Sequence, residues 1–376
     1  MKKISLCILA ALMILSCFCT SDDEFSSVEK VMISGHSIDQ KNFIFNDFYR
    51  VFQVKEIEKE EYLIGYNRNG HQLELYNLSQ NSPFGFITLK KAGPDGVPTV
   101  SNLYVHNLDS IFILSFHKLL LINQAGKILK SIRINNSNSS EVNGINFDQL
   151  VFCGSTENMN SMYFDDQTNR LFIPTKSVRS ASEEIHYQPS LFGYLDLNTL
   201  DYTPIDISYP EEFKDRVFPL AKPNISFYKE RVIYNFPFSS EIFVYDINKR
   251  SAQSFPAKSK LSKNLSESIA YSKRNKDMEL LREIFTRNPT FYKVIYDGYR
   301  KVYYRWHFAE NDGGGPAGAG RRGPLVFGIL DEDFDVIYEE VMENIYYQGE
   351  VSKKGLLVQD MNRRAEGFFN YSIINL

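Results

Sequence analysis

The stretch EYLIGYNRNGHQLELYNLSQNSPFGFITL, residues 61–89, decides the fold. It contains three apolar runs separated by two short polar segments, NRNG at 67–70 and LSQNS at 78–82. Short runs rich in aromatic and branched residues, bounded by Asn, Gly and Ser, are typical of β-strands joined by tight turns. The stretch therefore predicts successive strands of one antiparallel sheet.

The same pattern returns five more times along the chain. Each copy holds several short strands and turns, and the copies begin 42 to 76 residues apart, with the shorter intervals typical of propeller blades. A single four-stranded sheet cannot bury both of its faces, whereas neighbouring copies can cover each other and close into a ring. We therefore predict an all-β fold, a six-bladed β-propeller, with seven blades as the alternative. The further copies span residues 103–134, 162–207, 225–256, 301–341 and 345–374.

Two segments lie outside these copies. The N-terminal segment 30–54 reads as extra strand material, and we expect it to complete the last blade so that the ring has no free edge. Residues 262–288 lack β alternation, and Met278, Leu281 and Phe285 fall on one helical face before Pro289. This predicts one amphipathic helix inserted between blades.

The first residues predict a location in the cell envelope. Residues 1–17, MKKISLCILAALMILSC, combine two lysines with an apolar run shorter than the roughly 20 residues that span a bilayer. This is the pattern of a secretory signal, and ILSC resembles a bacterial lipobox, with Cys17 as the lipidated residue. An ordinary cleaved signal is the alternative. The division predicted is a signal peptide at 1–16, a lipidated flexible tether at 17–28 and one propeller domain at 29–376.

Several acyl chains on Cys17 would hold the protein firmly at a membrane, since one chain alone binds only marginally. We expect an outer-membrane lipoprotein. The acidic residues of TSDDE, 20–24, resemble the signal that sends lipoproteins to the cell surface in the Bacteroidota. A solvated spacer explains these residues equally well, so periplasmic and surface display both remain open.

Composition excludes some partners. The formal net charge is −4, and removing residues 1–16 with their two lysines makes it −6. No basic run exceeds two residues, so we expect no nucleic-acid partner, because phosphate neutralisation needs a basic surface. Only Cys19 and Cys153 remain after signal removal and lipidation, which argues against a disulfide framework. The six histidines are dispersed without metal-ligand spacing, so we expect no metal and no cofactor.

Three stretches together resemble a known family. They are KAGPDGV at 91–97, SSEIFVYDINKRS at 239–251 and IYDGYRKVYYR at 295–305. With the lipobox and the chain length, they resemble the uncharacterised Bacteroidota lipoproteins classified as domain of unknown function 4221. The resemblance implies a six-bladed propeller on a lipid anchor, and it implies no reaction.

One strand carries the clearest candidate site. In KVYYRWHF, 301–308, period two places Tyr303, Arg305 and His307 on one face and the single tryptophan, Trp306, on the other. The polar face could contact a ligand, because propellers bind at the ends of the central channel. The alternative is that Arg305 forms an ion pair between blades.

A glycine-rich segment adds a second candidate. Residues 311–323 include GGGPAGAGRRG between two predicted strands, without the strand-to-helix context of a phosphate loop. It predicts a long hairpin loop in which Arg321 and Arg322 could clamp an anionic or sugar ligand. A loop without function is the alternative.

No catalytic motif is present in the sequence, and catalytic residues remain unknown. The interpretation is a lipid-anchored, extracytoplasmic propeller that acts as a binding or interaction module for a peptide, a glycan or a protein partner of the envelope. A polysaccharide hydrolase or lyase with its site in the propeller channel is the alternative, because the fold hosts both kinds of function.

Overall fold

Six antiparallel sheets, the blades, form a ring in the computed structural model of the protein. The prediction of a six-bladed propeller is confirmed, and the seven-bladed alternative is excluded. The structure describes residues 31–376 except for the following: 41–44, 94–95, 116–117, 134–140, 143–144, 147–149, 153–160, 178–189, 206, 208, 211–215, 219–221, 271–282, 285, 312–322, 344–346 and 361–366.

In blades 1, 2, 4 and 5 the four strands follow one another along the chain and pair in that order from the centre of the ring outward. Blade 1 contains β2 (Phe52–Ile57), β3 (Glu60–Asn67), β4 (Gln72–Asn77) and β5 (Ser82–Thr88). Blade 2 contains β6 (Asn102–Asn107), β7 (Ser110–Ser115), β8 (Lys118–Ile122) and β9 (Ile128–Arg133). Blade 3 contains β12 (Leu150–Phe152), β13 (Tyr163–Asp165), β14 (Arg170–Ser177), β15 (Phe192–Asp196) and β16 (Tyr202–Ile205), with β12 and β13 both paired to β14.

The other three blades have four strands each, and the outer strand of blade 6 comes from the N-terminal side of the chain. Blade 4 contains β18 (Asn224–Tyr228), β19 (Arg231–Asn235), β20 (Ile242–Asp246) and β21 (Ser251–Phe255). Blade 5 contains β23 (Thr290–Asp297), β24 (Val302–Phe308), β25 (Leu325–Leu330) and β26 (Val336–Met342). Blade 6 contains β27 (Gly349–Ser352), β28 (Gly355–Gln359), β29 (Phe368–Asn375) and β1 (Met32–Asp39). Two small pairs complete the described strands: β10 (Glu141–Val142) with β11 (Ile145–Asn146), and β17 (Arg216–Val217) with β22 (Ile269–Ala270).

The N-terminal strand closes the ring, as the sequence predicted. β1 is the outer strand of blade 6 and pairs antiparallel with β29 over eight residues, from Met32 opposite Asn375 to Asp39 opposite Phe368. The chain then crosses to blade 1. Tyr49 is fixed on the way, because its backbone N–H and C=O both bond to the buried side-chain amide of Gln359 in blade 6. The first and last parts of the chain are thus joined in one blade.

The core is divided into six clusters, one at each interface between neighbouring blades. Successive residues of one strand serve different clusters: Leu63 of β3 packs toward blade 6, and Ile64 packs toward blade 2. Both faces of a blade are therefore buried. This explains why the inner strands are apolar almost throughout and do not alternate with polar residues, as strands with one solvated face do.

The two ends of the ring differ. At one end, the hairpin end, short turns join the first strand of each blade to the second, such as Glu58–Lys59 between β2 and β3. Glu58 and Lys59 have φ values of 51° and 73°, as a two-residue type I′ hairpin turn requires. At the other end lie the strand ends from which the chain leaves one blade and enters the next, such as Phe255 and Thr290, and the turns between the second and third strands, such as residues 236–241 between β19 and β20.

The inserted helix is described only at its end. Residues 283–284 and 286–287 are α-helical, and Ile284 is buried. Asn288 caps this end, since its backbone N–H and its side-chain amide both donate to the carbonyl of Ile284. The expected helical segment 262–288 does not begin as a helix. Residues 262–268 are irregular and Ile269–Ala270 form β22, because their backbone groups pair with Arg216–Val217.

Several predicted segments lie outside the described residues: the signal peptide 1–16, the tether 17–28 with Cys17, and most of the glycine-rich loop 311–323. The acidic run DEDFD at 331–335 is the hairpin turn between β25 and β26. Its first side chain, Asp331, accepts hydrogen bonds from the backbone N–H groups of Asp333 and Asp335 at 3.0 and 2.9 Å.

Candidate functional site

A lysine reaches into the central channel from blade 5. β23 is the innermost strand of that blade, and its pairing with β24 shifts register between Phe291 and Val294. A β-bulge adds a residue to one strand and turns side chains out of the regular alternation. Lys293 lies in this bulge, within the otherwise apolar run TFYKVIY. The bulge is the local reason why a lysine can leave the packed interface between blades.

The ammonium of Lys293 joins three blades. Its Nζ lies 3.6 Å from Oε1 of Glu350 on β27 of blade 6, and it donates to Oγ of Ser161, beside β13 of blade 3, at 3.3 Å. Blade 4 separates blades 3 and 5 in the ring, so the hydrogen bond to Ser161 crosses the channel. The side chains of Lys293 and Glu350 are only 9% and 19% exposed. The channel thus contains a largely desolvated ion pair.

Other polar contacts hold the innermost strands together. The inner edge of each sheet presents backbone groups that no further strand can pair. Gln53 of β2 accepts from the backbone N–H of Val105 on β6 at 2.7 Å. Asn224 of β18 donates to the carbonyl of Phe291 on β23 at 3.0 Å. The channel wall is therefore fixed by side chains that bridge neighbouring blades, and it presents a preformed polar surface.

A second lysine lies near the hairpin end of the channel. Lys55 of β2 is half-buried, and its Nζ lies 5.7 Å from the ring centroid of Tyr104 on β6. His106 follows on β6, with Nε2 4.0 Å from Oδ2 of Asp166 in the turn after β13. Phe164 stands edge-on to the His106 ring at 5.2 Å. We call these five residues, Lys55, Tyr104, His106, Phe164 and Asp166, the Lys55 corner.

Burial controls the protonation of the Lys55 corner. Burial lowers the pKa of Lys55, and the nearby Asp166 acts in the opposite direction. Burial also lowers the pKa of His106, and the charge of Lys55 lowers it further. Burial raises the pKa of Tyr104 to about 12, so its phenol stays protonated at neutral pH. The Lys55 corner therefore places the ammonium of Lys55 beside aromatic side chains, with the carboxylate of Asp166 at its exposed rim.

Aromatic side chains continue around the same end of the channel. Tyr163 of β13 stacks on Phe227 of β18, with centroids 5.6 Å apart and planes 17° apart. Tyr228 of β18 meets Tyr296 of β23 at 3.8 Å. All four rings are half-buried. Such rings offer apolar faces with polar edges, as binding surfaces commonly do.

The predicted residues Tyr303, Arg305 and His307 lie together on one face of β24, but blade 4 covers that face. All three are at most 2% exposed. Arg305 donates to the carbonyls of Ser240 and Ala257 at 2.6 and 2.7 Å. Arg305 therefore links blade 5 to blade 4 through hydrogen bonds to backbone carbonyls. The described residues leave no surface through which a ligand could reach these three side chains.

His307 is the most unusual member of this face. Its ring stacks on Phe291 at 4.9 Å, and neither of its nitrogens has a hydrogen-bond partner within the described part of the chain. Burial, followed by the charge of Arg305, lowers the pKa of His307 to about 3. The imidazole is therefore neutral and acts as a packing group at neutral pH.

Arg321 and Arg322 lie outside the described residues, and their ligand role stays a prediction. Sequence reasoning missed Lys55, Lys293 and Glu350. A signal existed for Lys293, since it is the single charged residue in its strand before Asp297. No signal reveals its partners, because Glu350 and Ser161 come from distant parts of the chain.

The described residues contain no group of three or more His, Cys, Asp or Glu side chains that could hold a metal ion. Among the same residues, no helix has the length and apolarity needed to cross a membrane.

The comparisons with known proteins agree with the fold. The family model for DUF4221, a domain of unknown function, matches residues 22–341. A crystal structure of a DUF4221 family member from Bacteroides vulgatus ATCC 8482 is similar to this chain, with a TM-score of 0.75 at 18% identity, covering 92% of this chain and 98% of the other. A proposed exported protein from Bacteroides fragilis NCTC 9343 gives a TM-score of 0.58 at 11% identity, covering 92% and 96%. No curated protein matches the sequence.

Proposed function

The chain belongs to the DUF4221 family, and from this premise and the propeller fold we propose that it is a lipid-anchored, extracytoplasmic binding module. Its ligand is a glycan, a peptide or a protein partner of the cell envelope, and its binding site is the central channel. Propellers place ligands at the channel because a rigid ring positions side chains from several blades around one point.

One observation carries the proposal. Lys293 is turned into the channel by a β-bulge and contacts blades 6 and 3 at once. Bulges are retained next to functional sites, where they redirect a side chain. Burying an ion pair costs desolvation that mutual attraction often only balances, so stability is a weak reason to place one there. A role of the Lys293 ammonium in binding a ligand explains its position better.

The proposed location rests on the N-terminal residues. The signal pattern and lipobox of residues 1–17 support an outer-membrane lipoprotein. The similar structure from Bacteroides fragilis is that of a proposed exported protein, which is consistent with a place outside the cytoplasm. Surface and periplasmic display both agree with the acidic segment that follows Cys17.

A thermal unfolding screen tests the binding function. The full chain in detergent is melted with neutral glycans, acidic glycans, envelope peptides and, as a negative class, nucleotides. A ligand at 100 times its Kd adds about 2.7 kcal/mol to the free energy of unfolding, which raises the melting temperature measurably. We expect one glycan or peptide class to raise it in the wild type and less in Lys293→Met.

The control variant is Lys249→Met, because Lys249 is 78% exposed on the outer part of blade 4. An equal rise in all three proteins would place the ligand outside the channel. Absence of any rise would contradict binding of glycans and peptides and leave a protein partner, to be sought by crosslinking on intact cells. Turnover of the stabilising ligand would replace the binding module with a polysaccharide-active enzyme.

The lipid anchor is tested separately. In Cys17→Ala, radioactive palmitate incorporation and the lipid anchor should both be lost, because the thioether attachment site is gone, and the protein should be either soluble or retained with its signal peptide. Cys19→Ala should leave both unchanged. Continued labelling of the Cys17 variant would contradict the lipobox.

A further inference from the structure

Lys55 is a half-buried cation that makes no direct ion pair with any carboxylate among the described residues. Its Nζ lies 5.7 Å from the centroid of the Tyr104 ring, and the charge of Asp166 acts on it from beyond the 4.0 Å of an ion pair. Taking an ammonium partly out of water costs free energy unless an anion or hydrogen bonds compensate. Cation–π attraction of this kind is worth only about 0.5–2 kcal/mol. A bound anion would therefore stabilise the positive charge of Lys55.

The walls of the Lys55 corner are flat and aromatic. Phe164 and Tyr163 are half-buried, and Tyr163 meets the Tyr104 ring edge at 6.1 Å. These rings are already ordered by packing, because Phe164 also contacts Phe112 at 5.0 Å. A ring-shaped ligand can lie against them without a large loss of side-chain entropy.

The rim of the corner carries groups that match hydroxyls. Asp166 is 66% exposed and His106 28% exposed, and the two lie 4.0 Å apart at the hairpin end. A carboxylate accepts hydrogen bonds from hydroxyl groups, and a neutral imidazole both donates and accepts. Beside Lys55, this arrangement fits a ligand that carries one carboxylate and several hydroxyls.

We propose that the Lys55 corner binds an acidic sugar, with the ammonium of Lys55 paired to the sugar carboxylate, the pyranose face against Phe164 and ring hydroxyls on Asp166 and His106. The inference rests on the proposed binding function and deepens it. A carboxylate without neighbouring hydrogen-bond donors is a poorer match, because Asp166 would repel it and receive no hydrogen bond in return.

Isothermal titration calorimetry on the full chain in detergent tests the proposal. The probe is trigalacturonic acid, and its fully methyl-esterified form is the uncharged match. Wild type should bind the acid and bind the ester at least tenfold more weakly. In Lys55→Gln the affinity for the acid should fall about tenfold, toward that of the ester, since a hydrogen bond to a charged group is lost. Lys249→Gln should bind as the wild type does.

A second measurement guards against loss of folding. The side-chain ¹⁵N resonance of Lys55 should shift on adding the acid and stay in place on adding the ester, while the resonance of Lys249 stays in place with both. Equal affinity for acid and ester, or an unchanged affinity in Lys55→Gln, would overturn the acidic-sugar site. If a neutral glycan or a peptide binds in the wild type instead, the site assignment fails while the binding function stands. If none of the glycans and peptides binds, the acidic-sugar site fails, and the binding function is left with a protein partner as its ligand.

Discussion

Arg305 carries a positive charge into the interface between blades 4 and 5, where it is 1% exposed and lies over the Phe291 ring at 5.0 Å. Two backbone carbonyls receive its N–H groups. Burial lowers the pKa of Arg305 to about 10, which still leaves it charged at neutral pH. At the residue scale, this side chain replaces a missing backbone pairing between two blades.

Arg305→Met should destabilise the protein by about 2–4 kcal/mol, because the carbonyls of Ser240 and Ala257 lose their donors inside the protein. Methionine keeps part of the apolar stem. The control is Arg287→Met, whose ion pair with Glu283 is exposed and should cost about 0.5 kcal/mol or less. Urea unfolding monitored by circular dichroism measures both. Similar losses in the two variants would contradict a structural role for the buried guanidinium.

His307 should make stability depend on pH. Its pKa is about 3 in the folded protein and about 6.5 in an unfolded chain. Between these values the unfolded state binds a proton that the folded state does not, so stability rises with pH across this window and is lost as pH falls below about 6.5. We expect the wild type to lose about 1 kcal/mol per pH unit more than His307→Phe between about pH 6 and 4. Urea titrations at several pH values test this, and parallel curves would contradict it.

At this scale the sequence predicted part of the site. Period two correctly placed Tyr303, Arg305 and His307 on one face of a strand. It could not show that another blade covers that face, because both faces of a propeller blade are buried. A polar face of a strand therefore does not indicate exposure to solvent, as it does in a sheet with one solvated face. Nothing in the sequence near Lys55 indicates its surroundings, since its aromatic neighbour Tyr104 is supplied by the next blade.

Among the elements, β1 completes blade 6, although most of its residues are exposed. Met32, Ile33, Ser34 and Gly35 are exposed, and only its distal end, at Ile38, is fully buried between blades 6 and 1. The strand is held mainly by its ladder to β29, so burial is concentrated at one side chain.

Ile38→Ala should therefore cost about 2–4 kcal/mol, as expected for a buried branched side chain cut to alanine. Met32→Ala lies in the same strand and is 57% exposed, so it should change stability by less than about 0.5 kcal/mol. Thermal and urea unfolding of the two variants would show the difference. An equally large loss at Met32 would mean that β1 is sensitive along its whole length.

The stretch IYDGYRKVYYR, which carried the family resemblance, proves to be a structural element. Asp297 is fully buried and accepts from the backbone N–H groups of Tyr299 and Arg300 and from the hydroxyl of Tyr304. Arg300 then reaches blade 6 through Asn375 and Lys353. The hairpin was predictable from its turn residues. The bulge that presents Lys293 a few residues earlier was not, because its cause is the register with β24.

The ring should unfold as one unit, because each blade is covered on both faces by its neighbours and losing one blade exposes two interfaces. Trp306 is the single tryptophan and lies in the core between blades 5 and 6. We expect its fluorescence and the far-ultraviolet circular dichroism of all blades to change with the same urea midpoint. Separate midpoints for the two signals would show that blades 5 and 6 unfold independently.

On the scale of the whole molecule, the repeats sufficed to predict six blades and the closing role of the N-terminal segment. Each copy carries its own strands and turns, so local patterns report the architecture. The channel is different. Ser161, Lys293 and Glu350 meet only after the ring closes, and nothing in the sequence near one of them indicates the other two.

Ring closure also depends on the order in which the strands of blade 6 are synthesised. Ser37 of β1 bonds to Asn370 of β29, 333 positions later in the chain. β1 is therefore synthesised well before its partner β29. Pairings across such long sequence separations form slowly, because a large loop must close first. Blade 6 therefore stays incomplete until β29 has been made, so the ring stays open during synthesis of the five blades that lie between β1 and β29 along the chain.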